Sequence, residues 1–241
     1  MLSALAAKRS LLKSACQSRN FSFSWPCPRK LREIVKISAF QKENAETCQY
    51  IWNEYHHSKP HTVSTVLNAK QYGQLMSRGK ASPVFVWPVP KGEAPNHFVL
   101  VSKQQDKSFL LTYLGDYQVN PTEANPYMVL TCFDELLESK GIMLLRGDLI
   151  SHLSEDEGFV LMNQLLDGYL HDTNFETIKK FNHEPDTFDY TEYMNGAIQE
   201  FANLKKFHID TKADKIHLEK VKKYGHKTDA EMNIHKGGII R

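Results

Sequence analysis

The sequence lacks several features that would assign it to a specialised class of protein. No apolar run approaches the roughly 20 residues that a membrane-spanning helix needs, which excludes a transmembrane helix. Four cysteines in 241 residues are too few for a disulfide-built scaffold. Gly 12 and Pro 10 exclude a collagen-like or wholly disordered chain. With 41% hydrophobic and 24% charged residues, the composition is that of a globular protein with a full core.

The common signatures of catalysis are also missing. The chain has no G-x-x-x-x-G-K-[ST] phosphate loop and no G-x-G-x-x-G after a predicted strand. C-x-x-C, H-E-x-x-H and G-x-S-x-G are absent too. We therefore predict no catalytic, cofactor-binding or metal-binding residues, and we favour a protein that binds another protein. An enzyme without a recognised motif would show the same pattern.

Acidic residues are absent from the first 30 positions, which contain six basic side chains. Residues 31–204 contain 14 basic and 23 acidic side chains, and residues 205–241 contain ten basic and five acidic ones. A moderately acidic body thus lies between two basic ends, and this asymmetry is typical of terminal segments with separate roles.

The N-terminal segment has the composition of a mitochondrial transit peptide, being basic, amphipathic and rich in Ser. A secretory signal would need an uninterrupted apolar core, but Lys8, Arg9 and Lys13 interrupt every candidate. We expect the segment to be removed, so that the mature chain begins near Ser22. Cys48 and Cys132 would remain in the body as buried free thiols.

Apolar spacing predicts the main elements. A helical arm at 31–57, formed by one helix or two, has a core-facing stripe made of Cys48, Ile51, Trp52 and Tyr55. Helices are predicted after Asn68 with Gly79 as the stop, at 134–140 before Gly141, from the capping box of Ser154 and Glu157 to Leu170, and weakly at 194–207. Strands are predicted at 63–67, 83–90, 126–133, 142–145 and 175–181, with a hairpin of 97–103 and 108–113 around the turn 104–107.

These elements predict an α+β fold: a single domain with a mixed, largely antiparallel β-sheet flanked by helices and preceded by the N-terminal helical arm. The prolines of the 83–90 strand should end it early or place it at a sheet edge. We divide the chain into a transit peptide and disordered lead (1–30), a helical arm (31–60), a mixed-sheet core (61–194), and a weak helix with a basic, mobile tail (195–241).

A histidine cluster is the strongest candidate for a metal site. His56, His57 and His61 are close in sequence, but Pro60 prevents the last two from sharing a helix face. No cysteine or carboxylate is adjacent to them, and histidine is favoured at a helix C-terminus. We therefore interpret the cluster as structural, and a matrix enzyme or metal-binding protein that uses it remains the alternative.

Two acidic groups receive structural interpretations as well. Glu155, Asp156 and Glu157 begin a predicted helix, where acids interact with the positive end of its dipole. Asp186 and Asp189, with Tyr190, follow a predicted strand and could line a pocket, but no base or nucleophile is evident beside them. A basic tail acting on RNA or the mitochondrial ribosome is a third hypothesis.

Three segments resemble one known family. They are the I-W-x-x-Y-H helix ending at His56, the F-x-x-P-x-P strand of residues 85–90, and the F-N-x-x-P-x-x-F-x-Y segment of residues 181–190. In this order they are similar to the mitochondrial ATP synthase assembly factor 1 family, over about residues 31–194.

The resemblance implies a non-enzymatic chaperone in the mitochondrial matrix, without a cofactor. It implies that the protein binds the unassembled β subunit of the ATPase catalytic sector, shields its subunit interface, and is displaced by the α subunit. It identifies no partner-binding residues, and residues 92–125 and the tail after 205 resemble the family least.

Overall fold

The computed structural model describes residues 30–92 and 96–224, with side chains described as far as Lys212. The predicted transit peptide and the end of the predicted tail lie outside these residues. Within them, eight α-helices and six β-strands form one α+β domain, which confirms the predicted fold class.

The helices are α1 (Ile37–Phe40), α2 (Ala45–His57), α3 (Ala69–Ala81), α4 (Leu114–Val119), α5 (Leu137–Lys140), α6 (Glu155–Leu170), α7 (Asp172–His183) and α8 (Tyr190–Tyr224), with a 3-10 turn at Leu31–Glu33 before them. The strands are β1 (Thr62–Asn68), β2 (Val84–Pro90), β3 (His97–Gln105), β4 (Ser108–Tyr113), β5 (Pro126–Phe133) and β6 (Ile142–Leu149). The strands form one curled sheet in the order β1-β6-β5-β4-β3-β2, and all neighbours are antiparallel.

Local helix signals in the sequence are confirmed where they involve a cap. The Asn68 side chain accepts from the Gln71 amide and begins α3, and Ser154 and Glu157 form the predicted capping box of α6. Gly141 ends α5 with a φ of 67°, a left-handed conformation that favours glycine. Gly79 was predicted to end α3 but lies inside it, because the helix continues to Ala81.

The prediction of a strand at 175–181 is wrong, because this segment belongs to helix α7. Phe175, Ile178 and Phe181 are three residues apart and lie on the side of the helix that packs into the main core. The hairpin is confirmed with a shorter turn than predicted: β3 extends to Gln105 and β4 begins at Ser108.

The sheet separates two hydrophobic cores. The larger one lies between the sheet and helices α3, α6, α7 and α8. The smaller one covers the opposite face near β6 and is closed by α2; its fully or largely buried members are Leu31, Phe40, Cys48, Trp52, Phe133, Leu136, Ile142 and Leu144. The free thiols Cys48 and Cys132 are both buried, as predicted.

Trp52 anchors the helical arm to the sheet. It is fully buried, as predicted, and its indole N–H donates to the carbonyl of Leu145 at 3.1 Å. The buried stripe of α2 differs from the predicted one, because Ile51 is 38% exposed and His56 is 1% exposed. Cys48, Trp52 and His56, spaced by four residues, therefore face the sheet.

Strand β2 is an edge strand, as its prolines predict. The amide and carbonyl of Val84 bond to the side chain of Asn182, at 3.2 and 2.7 Å, and the hydroxyl of Tyr193 donates to the carbonyl of Val86 at 2.7 Å. Pro88 and Pro90 continue the same alternate positions and have no N–H to donate. Side chains of α7 and α8 thus cover part of this edge.

Helix α8 is much longer than the weak helix predicted at 194–207. Met194, Ala197 and Phe201 are buried against the body, and they lie on one face of the helix. Lys205, His208 and Lys212 continue that face one turn after another. The helix therefore continues past residue 207, where the predicted weak helix ends.

Candidate interaction surface

The three histidines of the candidate metal site do not converge. His56 is buried under α2, with its Nδ1 2.8 Å from the carbonyl of Trp52, whereas His57 and His61 are exposed. Burial lowers the pKa of His56 to about 4, and the nearby Arg146 guanidinium adds to this effect. Within residues 30–92 and 96–224, no group of three or more metal-ligating side chains is found.

Helix α6 begins with an acidic cluster that the protein neutralises itself. Glu157 is almost fully buried, and its carboxylate bonds to Lys91 at 2.5 Å and to Lys205 at 3.0 Å. It also accepts from the Ser154 amide at 3.0 Å. Burial would raise the pKa of Glu157, but these hydrogen bonds outweigh it and lower that pKa.

Asp156 pairs with the same face of α8. Its carboxylate lies 3.3 Å from His208 and 3.3 Å from Lys212. The His208 ring stacks on Phe159, with 4.1 Å between ring centroids. The acids at the start of α6 therefore hold the middle of α8 against the body, a role that the sequence interpretation did not include.

A groove of about 590 Å³ lies farther along α6, between α6, α7 and α8, with β2 as its floor. Phe85, Trp87, Phe188 and Tyr193 supply aromatic surface to it. The Phe85 ring contacts those of Trp87 and Tyr193, each with 5.0 Å between centroids. Gly196 also lines the groove, and a Cβ atom there would meet nothing within 4 Å.

The groove is acidic. Six carboxylate side chains line it, and only two lysines, Lys179 and Lys180, do so; the acids are Asp167, Glu176, Glu184, Asp189, Glu192 and Glu200. Some of these acids have partners in the chain: Asp167 bonds to His171 and Asn174, and Glu176 pairs with Lys179.

The remaining acids of the groove lack cations. In the described part of the chain, no basic side chain lies within ion-pair distance of Glu184, Glu192 or Glu200. Partial burial between the helices, together with the nearby Asp167 carboxylate, raises the pKa of Glu200. A cation in the groove would relieve this repulsion.

Gln164 lines the groove, and its Oε1 atom is an unpaired acceptor that the surrounding atoms cover. The residue is 7% exposed, and among the described residues no donor bonds to its Oε1 atom. A buried polar atom without a partner costs free energy, and native proteins contain few of them. The groove thus combines negative charge with aromatic side chains, and a covered acceptor in its wall lacks a donor.

The acidic turn that the sequence singled out near residue 189 contributes only in part. Asp189 lines the groove, and its Oδ1 accepts from the amides of Thr191 and Glu192 at the start of α8. Asp186 is exposed and is not one of the groove residues, and Tyr190 packs against the main core.

Sequence reasoning missed Gln164, Asp167 and Glu200, which lie on two helices far apart in the chain. Each of them lies within four residues of buried positions on its helix. That spacing is the one signal in the sequence that could have indicated a contact between α6 and α8.

Helix α8 also exposes apolar side chains: Leu204 is 37% exposed and Phe207 is 71% exposed. No helix of the described residues is long and apolar enough to cross a membrane.

Comparison with known proteins identifies relatives of the chain. A family described as ATP11 protein matches residues 6–194. The chain is 27% identical over 165 residues to a human protein named "ATP synthase mitochondrial F1 complex assembly factor 1", a match that covers 67% of this chain and 49% of the human one.

Two further relatives are similar at the same level. A zebrafish (Danio rerio) protein with the same name is 24% identical over 165 residues, covering 67% of this chain and 54% of its own. A Schizosaccharomyces pombe protein named "Protein atp11, mitochondrial" is 23% identical over 145 residues, covering 58% and 48%. The chain spans about half the length of the curated relatives it matches.

Proposed function

The chain belongs to the ATP11 protein family, and we propose that it is a mitochondrial assembly chaperone for the F1 sector of ATP synthase. In this role it binds the unassembled β subunit, shields the surface that later contacts the α subunit, and is displaced when α arrives. The observation that carries the proposal is the family match over residues 6–194, which includes the entire described sheet.

The names of the relatives support an F1 assembly role in mitochondria. The basic, acid-free segment of residues 1–30 supports the same location, and we infer that import into the matrix removes it. The surface supports a binding role, because the groove presents carboxylates and aromatic side chains to a ligand.

The physical task of such a chaperone explains why its contacts should be moderate. An orphan subunit exposes a large apolar interface, and such surfaces aggregate. A chaperone must cover this surface but yield to the larger and tighter contact with the α subunit. Such an intermediate affinity is compatible with the surface of the protein. It combines exposed apolar groups on α8, among them Phe207, with a polar groove.

The proposal is tested by light scattering of isolated F1 β subunit at a temperature where it aggregates. An equimolar amount of the protein should suppress aggregation without ATP or metal. In a complex-formation assay, added α subunit should displace the protein from the β subunit. Lysozyme at the same concentration serves as the control. Unchanged aggregation of the β subunit would refute the proposed function.

A further inference from the structure

The contacts of the fold account for only part of the negative charge in the groove between α6, α7 and α8, because Glu184, Glu192 and Glu200 have no ion-pair partner among the described residues. Glu157 and Asp156 on the same helix are fully paired, so the protein neutralises acids where the fold requires it. At the groove the described chain supplies no cation to Glu200 and no donor to Gln164 Oε1. The first observation favours a positively charged ligand, and the second favours one that donates a hydrogen bond.

We propose that this groove receives an arginine side chain carried on a segment of the unassembled F1 subunit that the protein chaperones. The occupant rests on the proposed function, whereas the chemistry of the groove is argued from its own side chains. Glu200 and Asp167 would neutralise the guanidinium, and the rings of Trp87 and Tyr193 would flank it. A turn of the Gln164 side chain would bring its covered Oε1 atom to the guanidinium as an acceptor.

Arginine fits this set better than lysine. A guanidinium presents five N–H donors in a plane, so it reaches two carboxylates and an amide oxygen together, and it stacks on aromatic rings. Lysine has a compact ammonium that is more strongly hydrated. The volume of about 590 Å³ also accommodates apolar side chains beside the arginine on the Phe85 and Phe188 surface.

Other ligands fit less well. A phosphate group or nucleic acid would be repelled by six carboxylates against two lysines. A bound metal ion would need converging ligands, and the described residues contain no such group. The basic segment after Lys212 is the remaining competitor, and the experiment distinguishes it from the client.

The experiment measures the affinity for isolated F1 β subunit of variants that close or discharge the groove. Gly196→Phe should fill the groove without a clash, because the space around its Cβ is open. Gly73→Phe is its matched control on α3, where a Cβ also meets nothing within 4 Å and the groove is remote. We expect at least a tenfold loss for Gly196→Phe and less than a twofold change for Gly73→Phe.

A charge variant makes the test independent of shape. The double variant Asp167→Asn with Glu200→Gln should lose at least tenfold in affinity, and the loss should shrink at high salt. Glu46→Gln with Glu54→Gln, two exposed acids of α2, should bind as the wild type does. Melting curves show whether each variant is folded. Wild-type affinity in both groove variants would overturn the proposal and leave the chaperone function intact.

Argininamide tests the groove without the client. It should shift the indole N–H resonance of Trp87 in the wild type and in Gly73→Phe but not in Gly196→Phe, while that of Trp52 stays constant. No shift in the wild type would overturn the inference even if the β subunit binds. If the wild type fails to bind the β subunit, the proposed function fails, and argininamide alone decides whether the groove binds a guanidinium.

The chain's own tail is excluded or identified by a truncation. If a chain that ends at Lys212 binds argininamide more tightly than the full chain, and a peptide of residues 213–241 reverses this, the tail is the occupant. That result would overturn the assignment to a client segment. Equal affinity of the two chains supports the client.

Discussion

Helix α6 has two acidic regions, and they differ in whether basic side chains of the same chain neutralise them. At its start, Glu157 is nearly fully buried and bonds to Lys91 and Lys205. In its last two turns, Asp167 faces Glu200 of α8 across a groove that contains no cation for Glu200 within the described residues. The first region has its partners within the chain, whereas the second would gain a partner from the ligand that we propose.

This difference in pairing distinguishes acids that stabilise the fold from acids that we propose bind a ligand, although no sequence motif marks either group. Acids of the first kind should matter for folding and be silent in binding, because their partners come from the same chain. Removing the charge of an acid such as Glu200 should leave stability unchanged or raise it slightly, because repulsion from Asp167 opposes the folded state, and it should weaken binding of the proposed ligand. Variants at each region can break this distinction.

The largest effect should come from Glu157→Gln. Removing the charge leaves two lysines without their carboxylate, and we expect a loss of about 3 kcal/mol in the free energy of unfolding, at the lower end for a buried pair because both lysines are partly exposed. Glu155→Gln is the control, since Glu155 is an exposed acid of the same turn. Chemical denaturation measures both, and equal losses would remove the distinction drawn here.

His56 provides a further comparison, because one of its polar atoms lacks a partner but is buried away from solvent. The Nε2 atom of His56 has no hydrogen-bond partner among the described residues, and His56 is 1% exposed and is not one of the groove residues. The free energy of unfolding should therefore depend on pH, because the pKa of His56 is lowered to about 4 in the folded chain.

Between pH 6.5 and about 4 the unfolded chain binds a proton at His56 that the folded chain does not, so stability falls as the pH falls. Between pH 7 and pH 5 this loss is roughly 2 kcal/mol. Denaturation at both pH values should show a smaller loss in His56→Gln, while the exposed His57→Gln behaves as the wild type. An identical pH dependence in all three would contradict the assignment.

Two truncated chains test whether α8 is held by the first acidic region. A chain ending at Lys212 retains the pairs of Lys205 with Glu157 and of Lys212 with Asp156, and a chain ending at Leu204 loses them. We expect the shorter chain to be less stable by about 1 kcal/mol, a modest figure because these lysines are partly exposed. Equal melting temperatures would show that the paired face of α8 does not support the body.

The smallest effect on stability should come from the groove. Glu200→Gln removes a carboxylate whose pKa is raised by partial burial and by Asp167. At pH 7 the charged form is disfavoured in the folded chain, so the melting temperature should stay the same or rise slightly, and the difference should vanish in acid. A clear loss of stability at pH 7 would mean that Glu200 has a partner that stabilises the fold.

The sequence predicted those parts of the fold that depend on local signals. The caps at Asn68, Ser154 and Gly141 could be read from single residues, and the burial of Trp52 from its place in an apolar stripe. Helix α7 was mistaken for a strand because the short run at 175–181 is compatible with either structure, and only packing against β2 decides between them.

The groove could not be predicted because it depends on the positions of elements rather than on any segment. Gln164 and Glu200 are 36 positions apart, and each is unremarkable in its own helix. Likewise, a sequence tail beginning at Lys205 looked separable because its charge differs from that of the body. The contacts of Lys205 and His208 with α6 make the first residues of that segment part of the folded unit.

The capped edge at β2 has a consequence for the proposed chaperone role. An unprotected sheet edge is a template on which a foreign strand can add, and such strand addition can continue into aggregates. At β2 the outward-facing backbone groups of Val84 are engaged by Asn182, the carbonyl of Val86 is occupied by Tyr193, and Pro88 and Pro90 offer no donor. A partly folded client of the proposed chaperone would thus find no continuous ladder at this edge, which disfavours strand addition there.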